Sequence, residues 1–341
     1  MGKLHLYCIF YSVMPKDYTL KDFDFVLPEE LIAQTPAHPR DHARLLVYKR
    51  VDKSITDDYF YNLEKYLPAN STLVVNNSKV EKCRMKFGST EVFVLETINP
   101  TTIKAMVFPG KKFRGGPVKV GDFTFTVDHI DPEGLRTIRL DRPIDDPSFD
   151  EHRLTPLPPY IAQDEKLADE YQTVYADPLG SKAAPTAGLH FTPELLRKIK
   201  THHDYVEVTL HVGLGTFAPV KLDDISKHHM HEEHYSISPE AANKLNEAKH
   251  MTAVGTTTVR VLESAIHPFK EQSGETKIFI MPGYKFKSVD SLITNFHLPK
   301  STLLMLVSAL VGSVPELHRI YSHAIANKYR FYSFGDAMLI L

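Results

Sequence analysis

The stretch MTAVGTTTVRVLES, residues 251–264, has the pattern of a short strand, a tight turn and a helix. Gly255 follows the strand-like residues, and a run of threonines leads into the helix-like part. A strand that leads directly into a helix is the unit from which α/β proteins are built. Because the first backbone N–H groups of a helix lack partners within it, Thr256, Thr257 and Arg260 are candidates for binding a carboxylate or phosphate. Simple capping of the helix by the threonines is the alternative, and the sequence favours neither.

The same alternation of strand and helix patterns extends from Tyr171 to the carboxyl end. Strand-like runs are YVEVTLHV (205–212), TKIFI (276–280) and SLITNF (291–296). Helix-like runs are TPELLRKIK (192–200) and SPEAANKLNEAK (238–249). Similar patterns occur in PEELIAQ and RLLVYKR near the amino end. The alternation of strand and helix patterns in both parts of the chain predicts a discontinuous α/β domain with a mixed sheet, formed by residues 1–70 and 149–341.

Residues 71–148 have a different pattern, in which short alternating segments are separated by glycine and proline and no helix pattern occurs. Evenly spaced short strands are typical of a small antiparallel barrel or sandwich. We therefore predict that residues 71–148 form an antiparallel β-barrel inserted into the α/β domain. The proline-rich passage that follows is expected to connect the two.

Two further junctions place polar residues ahead of a predicted helix. In GSKAAPTAGLHFTPELL, residues 180–196, a loop of small residues leads to a helix with Thr192 as the expected N-cap. In SLITNFHLPKSTLLM, residues 291–305, a polar turn precedes a helix with Ser301 as the expected N-cap. Ligands of open α/β sheets bind at the carboxyl ends of the strands, so these junctions are expected to share one pocket. The candidate binding residues in them are Thr186, Gly188, Asn295 and His297.

Gly213, Gly215 and Ala218 have the spacing of a dinucleotide-binding fingerprint, directly after a predicted strand. Such a fingerprint requires a helix to begin inside the motif, whereas Pro219 and a strand-like run follow here. The two glycines are better explained as positions where the backbone passes close to a ligand or to another strand.

The histidine-rich run KHHMHEEHY, residues 227–235, suggests a metal site, but it lacks the HExxH spacing and the chain has no CxxC motif. A structural or substrate-facing role is the preferred interpretation, and we predict neither a metal nor a redox cofactor. The candidates for acid–base chemistry are His190, His211 and Asp336. We rank His190 and His211 above His297 and Asp336 for proton abstraction. The alternative for His190 and for His211 is a buried histidine that only hydrogen-bonds the backbone.

Charge is unevenly distributed along a chain whose formal net charge is −2. Residues 79–119 hold nine Lys/Arg against three acidic residues, which marks a candidate phosphate-facing surface. Its candidate contacts are Lys79, Arg84, Lys111, Lys112 and Arg114, and an ordinary solvated face is the alternative.

The apolar run at 302–312 is too short to span a membrane, and the two cysteines indicate a reducing compartment. Met14 is an expected alternative start, which would make the first thirteen residues an extension.

Several long runs carry a family resemblance that extends over nearly the whole chain. They are PLPPYI, YQTVYA, AAPTAGLHFT, VTLHVGLGTFAPVK, MHEE, VGTTTVR, TNFHLPKSTLLMLVSA and YRFYSFGDAMLI. In this order they resemble the S-adenosylmethionine:tRNA ribosyltransferase-isomerases of queuosine biosynthesis. The run LVVNNSKVEKCR (73–84) departs from the LVLNDTRVIPAR of many members, and the predicted barrel is the least similar part.

The resemblance implies a reaction and its partners. The ribosyl part of S-adenosylmethionine is transferred and isomerised onto 7-aminomethyl-7-deazaguanine at the wobble position of tRNA with a GUN anticodon, and adenine and methionine leave. S-adenosylmethionine is then a cosubstrate, no cofactor is needed, and the basic residues of 79–119 would hold tRNA. A cytoplasmic monomer without membrane association is expected. A tRNA-binding relative without activity and an S-adenosylmethionine-dependent RNA methyltransferase are the alternatives.

Overall fold

The computed structural model describes residues 18–162, 164–213, 224–228 and 230–341. Within these residues the chain forms two large sheets and a small one. The strands are, in chain order, β1 (Arg44–Lys49), β2 (Ser54–Tyr59), β3 (Thr72–Asn76), β4 (Lys79–Val80), β5 (Arg84–Phe87), β6 (Thr90–Asn99), β7 (Thr102–Phe108), β8 (Gly116–Val120), β9 (Phe123–Ile130), β10 (Arg136–Leu140), β11 (Arg153–Leu154), β12 (Leu179–Ser181), β13 (Asp204–Leu210), β14 (Glu233–Ile237), β15 (Met251–Val254), β16 (Gln272–Thr276), β17 (Ser291–Asn295) and β18 (Ala337–Ile340). The α-helices are α1 (Pro193–Lys200), α2 (Pro239–Glu247), α3 (Thr256–Ser264), α4 (Thr302–Val311) and α5 (Val314–Ala326).

The larger sheet is mixed and has the strand order β16-β14-β13-β3-β15-β17-β18-β1-β2. Its four central strands, β13, β3, β15 and β17, run parallel to one another. Strands β3, β15 and β17 are buried along their whole length, as expected for parallel strands covered on both faces. The predicted mixed α/β fold is therefore confirmed, and the carboxyl ends of the central strands share one edge.

The second sheet is antiparallel and curled, with the strand order β11-β5-β6-β7-β10-β9-β8. Its inner face carries a core of its own, which includes Met85, Val92, Ile103, Phe125 and Ile138. All residues from 84 to 154 are described, and within them the edge strands β11 and β8 do not pair with each other. The antiparallel sheet that the sequence predicts is present, but it is an open sheet and not a hydrogen-bonded closed barrel.

Both ends of the predicted insertion differ from the structure. Residues 72–76, which we placed in the barrel, form β3 at the centre of the mixed sheet, between β13 and β15. Their run is continuously apolar, which suits a strand buried on both faces better than the half-buried strands that follow. At the other end, β11 lies beyond residue 148 and pairs with β5. In addition, the predicted strand 276–280 overlaps the observed β16 by only one residue.

The predicted helix starts are confirmed. The Thr192 side chain accepts a hydrogen bond from the Leu195 N–H at the start of α1, and the Ser301 side chain accepts one from Leu304 at the start of α4. Helix α4 is buried over most of its length. Within the described residues no single helix is long and apolar enough to cross a membrane, and only the bent pair α4 and α5, with 107° between them, meets the length and composition test together.

Candidate functional site

A cavity of about 270 Å³ lies beyond the carboxyl ends of β13, β15 and β17. It is the place where the three predicted strand-to-helix and loop-to-helix junctions meet, as the sequence suggested. Its lining comes from six segments of the chain: Tyr160, residues 183–187, Val212, residues 255–257, residues 294–301 with Leu303, and residues 332–333. Of the predicted binding residues, those that line it are Thr186, Thr256, Thr257, Asn295 and His297.

One wall of the cavity contains a chain of buried and partly buried hydrogen bonds. The Thr186 hydroxyl donates to the Asn295 carboxamide oxygen at 2.9 Å, and the Asn295 amide nitrogen lies 3.1 Å from Nε2 of His190. His190 is itself only 4% exposed and packs against the ring of Phe60. Burial, with Arg330 and Arg40 nearby, lowers the pKa of His190 to about 3, so its imidazole is neutral. His190 stands behind Asn295 and does not itself line the cavity.

The first turn of α3 forms a second wall. Gly255 at the N-cap has φ 88°, a conformation that favours glycine, and it provides no side chain to cap the helix. Thr258 bonds back to the Val254 carbonyl oxygen at 2.7 Å, whereas the buried Thr257 hydroxyl has no hydrogen-bond partner among the described residues. Thr256 and Thr257 both line the cavity. A polar, uncapped helix start therefore faces the cavity.

Arg260, on the next turn of α3, is 5% exposed and lies outside the cavity lining. Its guanidinium forms a buried ion pair with Glu233, and the other carboxylate oxygen of Glu233 accepts from the Gly213 N–H at 2.9 Å. Burial lowers the pKa of Arg260 to about 10. The positive charge that we assigned to a ligand is thus already opposed by a carboxylate. Gly215 lies outside the described residues.

A third wall holds aromatic and histidine side chains. The rings of Tyr160 and Tyr332 lie 4.6 Å apart, and the Tyr160 hydroxyl is 2.7 Å from the Ser333 hydroxyl. His297 has Nε2 2.8 Å from the Thr294 hydroxyl, and burial lowers the pKa of His297 to about 3. By sequence, Tyr160 belongs to the proline-rich connector, and Tyr332 has no predicted site role. The only signal for them was their presence in the PLPPYI and YRFYSFGDAMLI runs.

His211 is not brought to this cavity. Since neighbouring side chains of an extended segment point to opposite sides, Val212 lines the cavity and His211 lines a separate depression with His234 and Glu275. Burial lowers the pKa of His211, and its Nδ1 has no hydrogen-bond partner among the described residues.

Asp336 and Gly188 have structural explanations. The carboxylate of Asp336 accepts hydrogen bonds from the backbone N–H groups of Arg44 and Arg330 and pairs with the Arg330 side chain at 3.3 Å. It therefore has the partners that a buried carboxylate needs, away from the cavity. At Gly188 a Cβ would overlap the Tyr175 hydroxyl, so the glycine is required by packing. The three predicted catalytic residues are thus not assembled into one site.

The basic residues of 79–119 fall into two groups. Arg84 forms a salt bridge with Glu91, with several hydrogen bonds between the two side chains, and Lys79 lines a second cavity of about 520 Å³. Lys111 and Lys112 lie on a short 3₁₀ helix, Gly110–Lys112, with the exposed Arg114 close behind. Phe108, at the end of β7 next to this helix, is 66% exposed. Exposed cations and an exposed ring are therefore grouped at residues 108–114.

The described part of the chain contains no group of three or more His, Cys, Asp or Glu side chains that could hold a metal ion. In the histidine-rich run, Glu232 pairs with Lys277, Glu233 pairs with Arg260, and His234 lies 3.5 Å from Glu275. His229 lies outside the described residues. The acidic side chains of this run are engaged in ion pairs.

Comparison with known proteins identifies the family. Residues 20–340 match the family model described as queuosine biosynthesis protein. The S-adenosylmethionine:tRNA ribosyltransferase-isomerase of Carboxydothermus hydrogenoformans is 46% identical over 94% of this chain and 99% of its own length. The protein of the same name from Thermosynechococcus vestitus is 46% identical over 96% of this chain and 97% of its own.

A solved structure agrees with this assignment. The crystal structure of S-adenosylmethionine tRNA ribosyltransferase from Thermotoga maritima is 36% identical, with a TM-score of 0.55 over 94% of this chain and 100% of that one. The alignment extends over nearly the whole of both chains. The chain belongs to the queuosine biosynthesis protein family.

Proposed function

We infer that this chain is an S-adenosylmethionine:tRNA ribosyltransferase-isomerase of queuosine biosynthesis. It transfers and isomerises the ribosyl part of S-adenosylmethionine onto 7-aminomethyl-7-deazaguanine at the wobble position of tRNA with a GUN anticodon, giving epoxyqueuosine, adenine and methionine. The family match and the names of relatives that align over nearly their full length support this function. The observation that carries it in the structure is the cavity, where the resemblance motifs AAPTAGLHFT, VGTTTVR and TNFHLPKS converge.

The start of α3 is the proposed site of the methionyl carboxylate of S-adenosylmethionine. The unpaired N–H groups of a first helical turn and the positive end of the helix dipole both favour an anion. The buried Thr257 hydroxyl, which has no partner among the described residues, adds a donor at the same place. Arg260 contributes through its ion pair with Glu233, which holds α3 against β14, and not as a direct contact of the carboxylate.

Tyr160 and Tyr332 are the proposed contacts of a flat heterocycle. Their rings lie together at one side of the cavity, and aromatic faces stack favourably on purine-like rings. Both the adenine of the cosubstrate and the deazaguanine of the tRNA have this shape.

The reaction needs a base that removes the acidic proton from the carbon next to the sulfonium, and a neutral amine that acts as nucleophile. We assign proton removal to His297 in place of His190 and His211, because His297 is the one of these three that lines the cavity. Burial lowers the pKa of His297 and so disfavours its protonated form, and the assignment therefore rests on its position in the cavity lining. Since the cosubstrate carries the reactive sulfonium itself, the proposed reaction uses no metal or redox cofactor.

The cluster at residues 108–114 is the proposed contact with the tRNA anticodon arm. Lys111, Lys112 and Arg114 can follow phosphates without reading bases, and the exposed Phe108 ring can stack on an unpaired base. Arg84 is removed from the proposed phosphate contacts because it pairs with Glu91, and Lys79 because it belongs to the second cavity. We propose that the chain acts as a monomer.

The test is a product analysis. The protein is incubated with S-adenosylmethionine and tRNA that carries the aminomethyl precursor base, and the digested nucleosides are analysed by mass spectrometry. We expect epoxyqueuosine, with adenine and methionine released in equal amounts. A methylated nucleoside would instead indicate a methyltransferase, and unchanged precursor with bound tRNA would indicate a relative without activity.

A further inference from the structure

We propose that Thr186 and Asn295 form a subsite that accepts a hydrogen bond from an N–H group of a substrate, and that His190 is the positioning residue that fixes the direction of these hydrogen bonds. The inference rests on the proposed function for the identity of the substrates. It differs from the role of base that the sequence suggested for His190.

The direction of the hydrogen bonds follows from the donors and acceptors present in the wall. Nε2 of the neutral His190 ring accepts from the Asn295 amide, which turns the carboxamide oxygen of Asn295 toward Thr186. The Thr186 hydroxyl has a single hydrogen, and it is used in the bond to that oxygen. With its hydrogen in that bond, the Thr186 oxygen offers only lone pairs to the cavity, so in this arrangement Thr186 accepts. The Asn295 amide has one further hydrogen that is not used in the bond to His190.

The surroundings of His190 hold the ring in this state. The ring is buried and packs on Phe60, and the segment 186–190 that carries it contacts the end of β17 and therefore Asn295. Two cations, Arg330 and Arg40, oppose protonation of the ring in addition to burial. A protonated His190 would donate from Nε2 and could no longer accept from Asn295, which would reverse the chain of hydrogen bonds.

The chemistry of the ligand group follows. The acceptor lies next to the start of α3, where N–H groups favour an anion. It therefore suits an ammonium group that is close to a carboxylate, or an amino group of a heterocycle. Such N–H groups occur on the amino acid part and the base of S-adenosylmethionine and on the aminomethyl base of the tRNA. A carbonyl oxygen at this point would have to draw the Thr186 hydrogen away from Asn295, so an N–H group is favoured over it.

A pair of variants at His190 tests the positioning role. The side-chain amide of His190→Gln can replace Nε2 as an acceptor, whereas His190→Leu fills the space without one. We expect His190→Gln to keep kcat within about threefold of the natural protein with the same pH profile, and His190→Leu to lose at least tenfold because a buried amide is left unpaired. If Gln and Leu are equally inactive while both fold, His190 is the base and the inference is wrong.

A second pair tests the acceptor without touching the buried histidine. Thr186→Ser keeps the hydroxyl, and Thr186→Val keeps the shape without it. We expect Thr186→Val to raise the Kd for S-adenosylmethionine or the KM for precursor tRNA about tenfold, and Thr186→Ser to raise neither. The ligand that is affected identifies the donor, and an unchanged Kd and KM would overturn the proposed subsite. A natural protein that forms no epoxyqueuosine would count against the function, whereas these comparisons between variants count against the subsite alone.

Discussion

At the scale of single residues, three histidines with similar sequence surroundings have three different positions. His297 lines the cavity, His190 lies behind Asn295, and His211 faces another depression. The glycines and small residues next to them identify the right loops, but they do not tell which way a ring points. That depends on the tertiary packing, which brings Asn295 within hydrogen-bond distance of His190 across 105 positions of sequence.

Buried neutral histidines predict a pH dependence of stability. The folded-state pKa of His190 is about 3 and the unfolded value is about 6.5, so between these values the unfolded state binds more protons. The free energy of unfolding therefore falls as the pH is lowered below about 6.5, by about 2 kcal/mol for His190 at pH 5. We expect His190→Gln to lose about 2 kcal/mol less than the natural protein between pH 7 and pH 5 in urea titrations. Equal losses in the two proteins would contradict the buried, neutral state.

The hydroxyl of Thr257 is predicted to bind the cosubstrate. Thr257→Val should raise the KM for S-adenosylmethionine about tenfold, since a hydrogen bond to a charged group contributes about 1.5–3 kcal/mol. Thr258→Val is the matched control, because the Thr258 hydroxyl bonds to the Val254 carbonyl oxygen within the same strand–helix junction. Initial rates at varied concentrations of S-adenosylmethionine give the KM of each variant. Equal KM values for the two variants would exclude the proposed carboxylate site.

Arg260 and Glu233 are predicted to act as a pair. Arg260→Met removes the guanidinium from a carboxylate that is 3% exposed, which should lower the free energy of unfolding by about 3–5 kcal/mol. The double variant Arg260→Met with Glu233→Gln removes both charges and should recover part of this loss. Urea unfolding of the single and double variants measures the coupling. An Arg260→Met protein as stable as the natural one would show that the pair does not hold α3.

At the scale of elements, the sequence predicts local features well and long-range ones poorly. Thr192 and Ser301 are visible as N-caps because the capping bond joins residues three apart. The assignment of β3 failed because its neighbours in the sheet, β13 and β15, are more than a hundred residues away. Five of the predicted site residues reach one cavity because the parallel strands end at one edge, whereas Tyr160 and Tyr332 arrive from segments with no local signal.

The 3₁₀ helix Gly110–Lys112, together with Arg114, is predicted to bind tRNA. Replacing Lys111, Lys112 and Arg114 together by alanine should weaken tRNA binding and reduce the slope of log affinity against log salt, by about one unit or less for each phosphate that is no longer neutralised. Alanine at Arg197, Lys198 and Lys200 of α1 is the control of equal charge. Binding across a salt series measures the slope, and an unchanged slope in the first variant would place the tRNA elsewhere, with the histidine-rich run as the next surface to test.

At the scale of the whole molecule, a mixed sheet that forms the cavity is joined to an antiparallel sheet that carries the exposed cations. The fold class could be predicted because strand and helix patterns alternate along one part of the chain and short strands follow one another in the other. The strand order and the open form of the second sheet could not, because both depend on pairings between distant segments. The family could be predicted because its motifs are long and occur in one order.

The central claim is that the cavity uses S-adenosylmethionine as a ribosyl donor, and the fate of labelled cosubstrate tests it most directly. Two preparations of S-adenosylmethionine, one labelled in the ribose and one in the methyl group, are each incubated with the protein and precursor tRNA. We predict that the ribose label is incorporated into the tRNA in an amount equal to the epoxyqueuosine formed, and that the methyl label leaves with methionine. Methyl label in the tRNA with no ribose label would contradict this claim.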